Sequence, residues 1–473
     1  MRYCLNGVDL FFMQVLTTIG LIVIGVLLFE FIIFAHEFGH FITAKRSGVQ
    51  VNEFALGMGP KLISFKKGET RYSLRAFPIG GFCSMEGEDQ TSDNPRAFTN
   101  AKVWKRMIII VAGAVMNILV GFVLMFVVTV NQAEIIGTTI TSFEPYSYTA
   151  NSGLMAGDKI LSVGGYSVAN SRDLAMGIQV LPCEEVDPAS LTVYKQDCCY
   201  DSMTYLYGMR DTLKLIDDKT LSYLYYNTLA DGCKKINAAQ SKDEAYSLMK
   251  QTIDSFYTTA KVSKPKDFKY PEIEVRDKRL RYVGDVKVVR NGEKMTVEDV
   301  QFFTYKPDAK KDDTAVGVDF YLDQRDKNFG TVIEETFTGT VSLAKTVWKS
   351  FELLVTGRFH FSDMSGPVGI TKAVSDVASA GLKSSFGDAV LNIVMIMALI
   401  TVNLGIVNML PFPALDGGRF VFLLIEAIFR RPIPRKVEYI VNGIGLALLI
   451  LLIVIISIND VGKLITGNFP SIG

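Results

Sequence analysis

Four long apolar runs divide the chain into alternating hydrophobic and polar regions. A bilayer core of about 30 Å takes roughly 20 helical residues to cross, so each run predicts a transmembrane helix. The first run is too long for the apolar core of a cleaved signal peptide, and only Arg2 provides a basic side chain before it. The four predicted helices cover about 12–36, 107–131, 388–410 and 437–458.

The polar stretch after the first run contains short β-like segments punctuated by Gly and Pro. Residues 51–86 predict strands close to the membrane, where irregular backbone is tolerated if it lines a cavity. A strand edge there could hold an extended peptide, and a plain cytoplasmic hairpin is the alternative. In the second run, Asn117 and its small neighbours predict contacts between helices. Before the third run, the Gly and Pro of 365–370 predict a loop.

The region between the second and third runs has the pattern of a water-exposed domain. Residues 281–293 alternate apolar and polar positions around an Asn-Gly turn, which predicts a hairpin. An insertion at 182–270 is rich in Tyr, Lys and Asp and contains helix-like runs. The sequence leaves two alternatives for the four cysteines of this insertion, disulfides or free buried thiols. They are Cys183, Cys198, Cys199 and Cys233.

The composition indicates a chain that lies partly in a membrane and partly in water. Hydrophobic residues make up 49% of the 473 residues, and the mean hydropathy of +0.26 is too high for an ordinary soluble protein. Charged residues make up 21%, which is too many for a chain wholly in lipid. The net charge of zero argues against nucleic acid as a partner.

Basic side chains are concentrated in two of the polar connections, between the first and second runs and between the third and fourth. By the positive-inside rule both connections face the cytoplasm, so both termini and the region 132–387 are expected outside. The basic residues of the first connection are Lys45, Arg46, Lys61, Lys66, Lys67, Arg71, Arg75, Arg96, Lys102, Lys105 and Arg106, and those of the second are Arg430, Arg431, Arg435 and Lys436.

An HExxH motif stands at the end of the first apolar run. On a helix, His36 and His40 share one face, where two imidazoles can bind one zinc ion. Glu37 can take a proton from water whose pKa the metal has lowered, which is the chemistry of peptide hydrolysis. The bare motif also occurs without protease function, and each histidine could be a hydrogen-bonded interior residue. Ionisable side chains in an apolar span are costly and mark functional sites, which favours a metal site.

Three segments together resemble the site-2 protease family of intramembrane zinc metalloproteases, in its bacterial sigma-E-protease branch (peptidase family M50). They are HEFGH in the first run, FALGMGPKLISFKKGETRYSLRAFPIGGFCSMEGED after it, and NMLPFPALDGGR after the third run. The resemblance implies that Asp416 is the third zinc ligand. It further implies a substrate path, assigned to Asn408, Pro411, Pro413, Gly80 and Gly81.

The resemblance also extends to the fold and the domain order. The segment 150–165 resembles the core of a bacterial PDZ domain, which the insertion interrupts. We therefore expect a polytopic α-helical membrane protein with four transmembrane helices, a membrane-associated β region and an extracytoplasmic PDZ-like α/β domain. The expected domains are a first transmembrane helix with HExxH (1–43), a cytoplasmic loop with the β-sheet (44–106), a second helix (107–131), the PDZ-like domain (132–335, interrupted at 182–270), a re-entry segment (336–387), a third helix with the LDG segment (388–436), and a fourth helix with the tail (437–473).

These features predict a Zn²⁺-dependent intramembrane endopeptidase of the cell's inner or plasma membrane. Its active site is expected near the cytoplasmic side, within the bilayer. Its expected partners are single-span membrane proteins, and by resemblance these are anti-sigma factors and remnant signal peptides in regulated intramembrane proteolysis. The PDZ-like domain would then admit substrates that another protease has already trimmed.

Two other functions are compatible with parts of the pattern. A non-catalytic membrane PDZ receptor or scaffold would use the motif as a structural metal site, which needs a fourth protein ligand. A metal transporter would be expected to carry more ligands along its spans. The remaining histidine, His360, competes with Asp416 as third ligand, but the four-span topology places it on the outer side, most of a bilayer thickness from His36.

Overall fold

The computed structural model divides into two units, one of residues 1–133 with 327–473 and one of residues 134–326. We refer to them as the helical unit and the sheet unit. The structure describes residues 7–88, 92–144, 147–187, 190–208, 218–261, 263–265, 268–273, 279–303, 318–358, 366–382 and 385–466.

The helical unit contains the four predicted membrane helices, and all four are long and apolar enough to cross a bilayer. They are α1 (Gly7–Ser47), α2 (Val103–Asn131), α10 (Phe386–Asn408) and α12 (Arg435–Thr466). Along α1, Ile32 is fully buried in a cluster with Ala389, Ile393 and Met397 of α10. The described chain is therefore a polytopic membrane protein built around α1, α2 and α10.

The described residues of this unit also form α8 (Phe329–Val355), α9 (Pro367–Leu382) and α11 (Asp416–Phe429). The loop predicted at 365–370 is wrong for 367–370, because α9 begins at Pro367. Proline is accepted in the first turn of a helix, where its missing N–H has no intrahelical partner. The Asp460 carboxylate on α12 binds this helix start, accepting hydrogen bonds from the N–H groups of Gly366 and Gly369 at 2.8 Å each.

Strands β1 (Val51–Lys67) and β2 (Thr70–Met85) form an antiparallel sheet that folds back on itself. In β1, the run from Glu53 to Leu56 pairs on one side with 81–84 and on the other with 71–74. This leaves 81–85 as an outer run, which we call the edge strand. At the hairpin turn, hydrogen bonds from Arg96 and Lys45 lower the pKa of Glu69 to about 2 and tie the turn to the end of α1.

The sheet unit is a seven-stranded sheet with helices around it. Its main path runs β6-β7-β4-β3-β9, with β5 paired to β4 and β8 to β7. The predicted Asn-Gly hairpin is present as β7 and β8, with Arg290 opposite Glu293. The elements are β3 (Ile135–Phe143), α3 (Tyr148–Asn151), β4 (Lys159–Val163), β5 (Tyr166–Ser167), α4 (Ser171–Gln179), β6 (Cys183–Val186), α5 (Leu191–Gly208), α6 (Asp218–Ala238), α7 (Lys242–Ala260), β7 (Arg279–Arg290), β8 (Glu293–Phe303) and β9 (Phe320–Arg325).

The insertion forms helices with their own apolar core. Helices α5, α6 and α7 bury a cluster that includes Phe256 and Met249, and it is separate from the core of the sheet. Cys198, Cys199 and Cys233 are buried free thiols in this cluster, while Cys183 is exposed on β6. Because β6 pairs with β7, the first residues of the predicted insertion are part of the sheet.

Candidate metal centre

Three potential metal ligands from two distant parts of the chain meet inside the helical unit. His36 and His40 lie one turn apart on α1, and Asp416 begins α11. The Nε2 atoms of His36 and His40 are 3.2 Å apart, and they lie 3.2 and 3.3 Å from Asp416 Oδ2. Both histidines are 8% exposed. In the described part of the chain, these are the three side chains grouped closely enough to hold a metal ion.

The triangle of donor atoms fits a tetrahedral zinc ion. Zinc bonds of about 2.0–2.1 Å at tetrahedral angles place two ligand atoms about 3.3 Å apart, which matches all three sides. Asp416 Oδ2 is buried and completes no hydrogen bond within the described residues. A buried oxygen of this kind is costly unless it binds a cation or a donor. Two imidazoles and one carboxylate are also a usual donor set for catalytic zinc.

The orientation of His40 is set by a carbonyl of α2. Its Nδ1 lies 2.8 Å from the Ile109 carbonyl oxygen, and a carbonyl can only accept a hydrogen bond. Nδ1 therefore carries the proton and donates it. The lone pair of this ring is then on Nε2, which is the atom that points to His36 and Asp416.

His36 is oriented by Asn117, a fully buried residue of α2. The Asn117 amide nitrogen lies 3.2 Å from His36 Nδ1, while its Oδ1 is buried without a partner among the described residues. Amide nitrogen and oxygen are assigned by their surroundings, and exchanging them lets His36 Nδ1–H donate to Oδ1. His36 Nδ1–H and the amide oxygen are then paired, and His36 Nε2 is free to bind a metal. The sequence offered one signal of this role, an amide in an apolar run, which also fits a contact between helices.

Two glycines allow α1 and α2 to pack closely at the centre. A Cβ on Gly113 would overlap the rings of both His36 and His40, and one on Gly39 would overlap the backbone of Ala112. Both positions therefore exclude larger residues. Small residues of this kind let helix backbones approach each other in membranes.

Asp416 is presented by a tight turn between α10 and α11. Helix α10 ends at Asn408, and Pro411 and Pro413 follow in the turn, where they continue neither helix. Ala414 has a positive φ of 72° and its N–H donates to Asn442 Oδ1 at 3.2 Å. The prolines predicted this break correctly.

The turn packs closely on its neighbours. Cβ atoms on Gly417 or Gly418 would overlap the carbonyls of the turn before α11, so both positions need glycine. Near the other end of α11, Glu426 pairs with Arg106 of α2 at 2.5 Å, with both side chains largely buried. The helix that starts at Asp416 is therefore fixed to α2, which also contacts both histidines.

Glu37 lies beside the three ligands and is held by the edge strand. Its Oε2 accepts a hydrogen bond from the backbone N–H of Cys83 at 3.0 Å. Gly81, two residues earlier, is so close that a Cβ there would lie 3.7 Å from Glu37 Cγ. Gly80 has a positive φ of 94° where the strand bends. The sequence did not identify the Cys83 contact, because the register of the sheet decides it.

The remaining predicted residues are distributed around this centre. The Asn408 amide nitrogen lies 3.5 Å from His36 Nε2, so this side chain faces the candidate ligands. Pro411 is exposed, and Pro413 packs against Gly445 of α12. His360, the competing ligand, lies outside the described residues.

Comparison with known proteins gives a family match across most of the chain. The pattern of peptidase family M50 matches residues 24–452. A Clostridium acetobutylicum protein named as a zinc metalloprotease is 30% identical over 444 residues, covering 93% of this chain and 97% of its own. The regulator of sigma-W protease RasP of Bacillus subtilis is 28% identical, covering 94% and 99%. The zinc metalloprotease RasP of Bacillus licheniformis is 29% identical, covering 93% and 98%.

Proposed function

The chain belongs to peptidase family M50 and is a zinc metalloprotease, and from that premise we propose that it cuts peptide bonds within or at the edge of transmembrane segments. One observation carries this proposal. His36 and His40 lie on a membrane-spanning helix and form the donor triangle with Asp416, next to a glutamate that the edge strand holds in place. A metal site and an acid–base group on a membrane-spanning helix, with a strand edge beside them, fit peptide hydrolysis in the membrane.

The metal-binding role is assigned to His36, His40 and Asp416. Zinc bound there supplies a Lewis acid that polarises the scissile carbonyl and lowers the pKa of water. Three protein ligands leave one position open, which is the arrangement of catalytic zinc. His36 and His40 donate hydrogen bonds to Asn117 and to the Ile109 carbonyl, so the Nε2 lone pairs of both rings are already directed inward.

Glu37 is assigned the proton transfers. Its carboxylate takes a proton from the attacking water and passes it to the leaving amine. The Cys83 N–H holds one carboxylate oxygen at 3.0 Å and leaves the other for this task. Asn408, with its amide 3.5 Å from His36 Nε2, is placed to donate a hydrogen bond to the substrate carbonyl.

The substrate is proposed to bind as an added strand. A transmembrane helix hides its carbonyls in internal hydrogen bonds, so it must unwind before water can attack. Pairing along the edge strand at Gly80 and Gly81 replaces those hydrogen bonds with intermolecular ones. Pro411 and Pro413 are proposed to line the same path.

Single-span membrane proteins are the substrates we propose, with anti-sigma factors and remnant signal peptides as the candidate classes. The proposed orientation has the sheet unit outside as a PDZ-like filter and the metal centre near the cytoplasmic side. It is supported by the basic residues between the first and second transmembrane helices and between the third and fourth, which the positive-inside rule assigns to the cytoplasm.

A membrane scaffold with a structural metal site fits the centre less well. Structural zinc sites are closed by four protein ligands, whereas three side chains group here within the parts of the chain that the structure describes. A scaffold would also have no need of Glu37 beside the metal.

Co-expression tests the proposal directly. Tagged single-span proteins are expressed with the native chain, each in a full-length form and in a form whose outer domain has been removed. We expect the shortened form to be cut and the full-length form to be spared. Absence of cutting in both forms for every protein in the panel would contradict the proposed substrate class.

Replacing Asn117 with Leu should weaken zinc binding by about 10–100-fold, the usual effect of losing a partner that orients a ligand. His36 would lose the acceptor for its Nδ1 proton and with it the fixed ring orientation. Competition with a metal chelator measures the affinity. Asn131→Leu is the matched control on the same helix, because Asn131 is exposed and donates a hydrogen bond to the Val127 carbonyl of its own helix. Equal affinities in the two variants would contradict the role of Asn117.

Removing 190–273 and joining the ends with a short linker should leave cutting of a trimmed substrate largely intact. This deletion removes α5 to α7 with their separate core and keeps β6 in the sheet. A domain usually still folds when a segment inserted into one of its surface loops is removed. Cleavage rate and zinc content of the purified deletion variant are the measurements. If it folds and binds zinc but cuts no trimmed substrate, the insertion is part of the catalytic machinery.

A further inference from the structure

A second glutamate of α1, Glu30, is buried in the membrane span. The residue is 7% exposed, and neither carboxylate oxygen has a hydrogen-bond partner among the residues that the structure describes. Burial of such a group is costly unless another group pairs with it. An apolar residue would fill the same place without this cost, so the carboxyl points to a function.

Glu30 lies on the face of α1 that carries Glu37. Positions 30, 33 and 37 are separated by three and four residues and therefore share one side of the helix. Along this side, Glu37 contacts the Cys83 N–H, and Ile33 lies 3.7 Å from the place of a Cβ on Gly81. Glu30 continues the row, because its carboxylate faces the backbone of Gly80 and Gly57. The row follows the edge strand away from the metal centre.

The sheet bends where Glu30 meets it. Gly57 and Gly80 both have positive φ, 79° and 94°, and the pairing passes from Leu56 opposite Gly81 directly to Met58 opposite Phe77. The two glycine backbones face the carboxylate, yet neither oxygen completes a hydrogen bond of normal geometry with them. The carboxylate therefore keeps its capacity to accept a hydrogen bond at the end of the edge strand.

We propose that Glu30 is a specificity-determining residue that accepts a hydrogen bond from a donor side chain of the substrate, three residues from the scissile bond. Seven helical residues separate Glu30 from Glu37, which is about 10.5 Å along the axis. An extended strand covers this distance in about three residues. A substrate strand paired to the edge strand, with its scissile bond at Glu37, would thus bring its third residue to Glu30.

The ligand chemistry is a side chain with an N–H donor, such as the Asn amide or the Lys ammonium. A carboxylate accepts from both, and the ammonium adds an opposite charge inside the span. A substrate with an apolar residue at this position leaves the carboxylate unpaired and is expected to react more slowly. The inference rests on the proposed protease function and adds a preference for a polar residue in the substrate.

Matched substrates in proteoliposomes test this. The full chain is purified and supplied with substrates that carry Asn, Lys or Leu at the third residue on either side of the mapped cut. For the native chain, we expect kcat/KM to be at least about tenfold higher with Asn or Lys than with Leu at one of the two positions. Glu30→Leu should bring both ratios close to one. Glu30→Gln should keep the Asn preference and lose the Lys preference, because its amide carries no charge.

Phe31→Leu is the control, since Phe31 is 49% exposed on the same helix and should keep the native ratios. Equal ratios in the native chain and in Glu30→Leu would overturn the proposal and leave Glu30 a purely structural group. If Glu30→Leu does not fold, Glu30→Gln provides the test. A Lys-to-Leu ratio of kcat/KM in Glu30→Gln equal to that of the native chain would overturn the proposal. A native chain that cuts none of the substrates contradicts the protease function itself, whereas equal cutting of all three contradicts only the role of Glu30.

Discussion

Glu37→Gln should retain zinc and fold while losing cleavage. Glutamine has nearly the same shape, and the three metal ligands are unchanged. Its amide can still accept the Cys83 hydrogen bond through its oxygen, so the side chain keeps its position at the edge strand. It cannot take up and release the proton that peptide hydrolysis requires. General acid–base groups contribute about 10²–10⁴-fold, so the rate should fall by at least that amount.

Turnover of a purified membrane substrate and the zinc content of the same sample measure the two effects separately. Glu88→Gln is a suitable control, because Glu88 pairs with Arg419 on α11 and lies outside the donor triangle. Near-native turnover in Glu37→Gln would show that another group moves the proton.

Asp416→Ala should lose most bound zinc and all activity. The substitution removes one corner of the donor triangle and leaves two imidazoles, which bind zinc far more weakly than three ligands. We expect the affinity to fall by more than about 100-fold, because even loss of a partner outside the ligand set costs 10–100-fold. Metal analysis after dialysis against a weak chelator measures the loss.

His360→Ala is the matched comparison, and it should retain zinc and activity. The sequence makes His360 the competing ligand by residue type, and the proposed four-span topology predicts that it lies on the outer side, most of a bilayer thickness from His36. Loss of zinc in His360→Ala together with its retention in Asp416→Ala would overturn the donor set.

The helical architecture and the histidine pair followed from local patterns in the sequence, whereas Asp416 was implied by the resemblance to the site-2 protease family. Apolar runs of at least 20 residues identify spans because the bilayer thickness requires them. The spacing of His36 and His40 places them on one face of any helix, and the prolines after Asn408 interrupt any helix. These features depend on residues that are close together in the chain, so the local sequence pattern is enough to predict them.

The features that the sequence did not predict depend on contacts between distant segments of the chain. Asn117 faces His36 only because Gly39 and Gly113 allow α1 and α2 to approach closely. The Cys83 contact of Glu37 depends on the register of a sheet whose middle run pairs on both sides. Helix α9 begins inside a segment whose Gly and Pro resemble a loop, because Asp460 from a distant helix caps its first turn.

Identifying the cut site in a purified system tests the central claim most directly. The native chain and a single-span substrate are reconstituted together in proteoliposomes with zinc, and the new termini of the products are determined by mass spectrometry. We predict termini within the apolar transmembrane segment or at its edge, and their loss when a chelator removes zinc. Termini found only in the water-exposed parts of the substrate, or unchanged cutting after zinc removal, would contradict an intramembrane zinc protease.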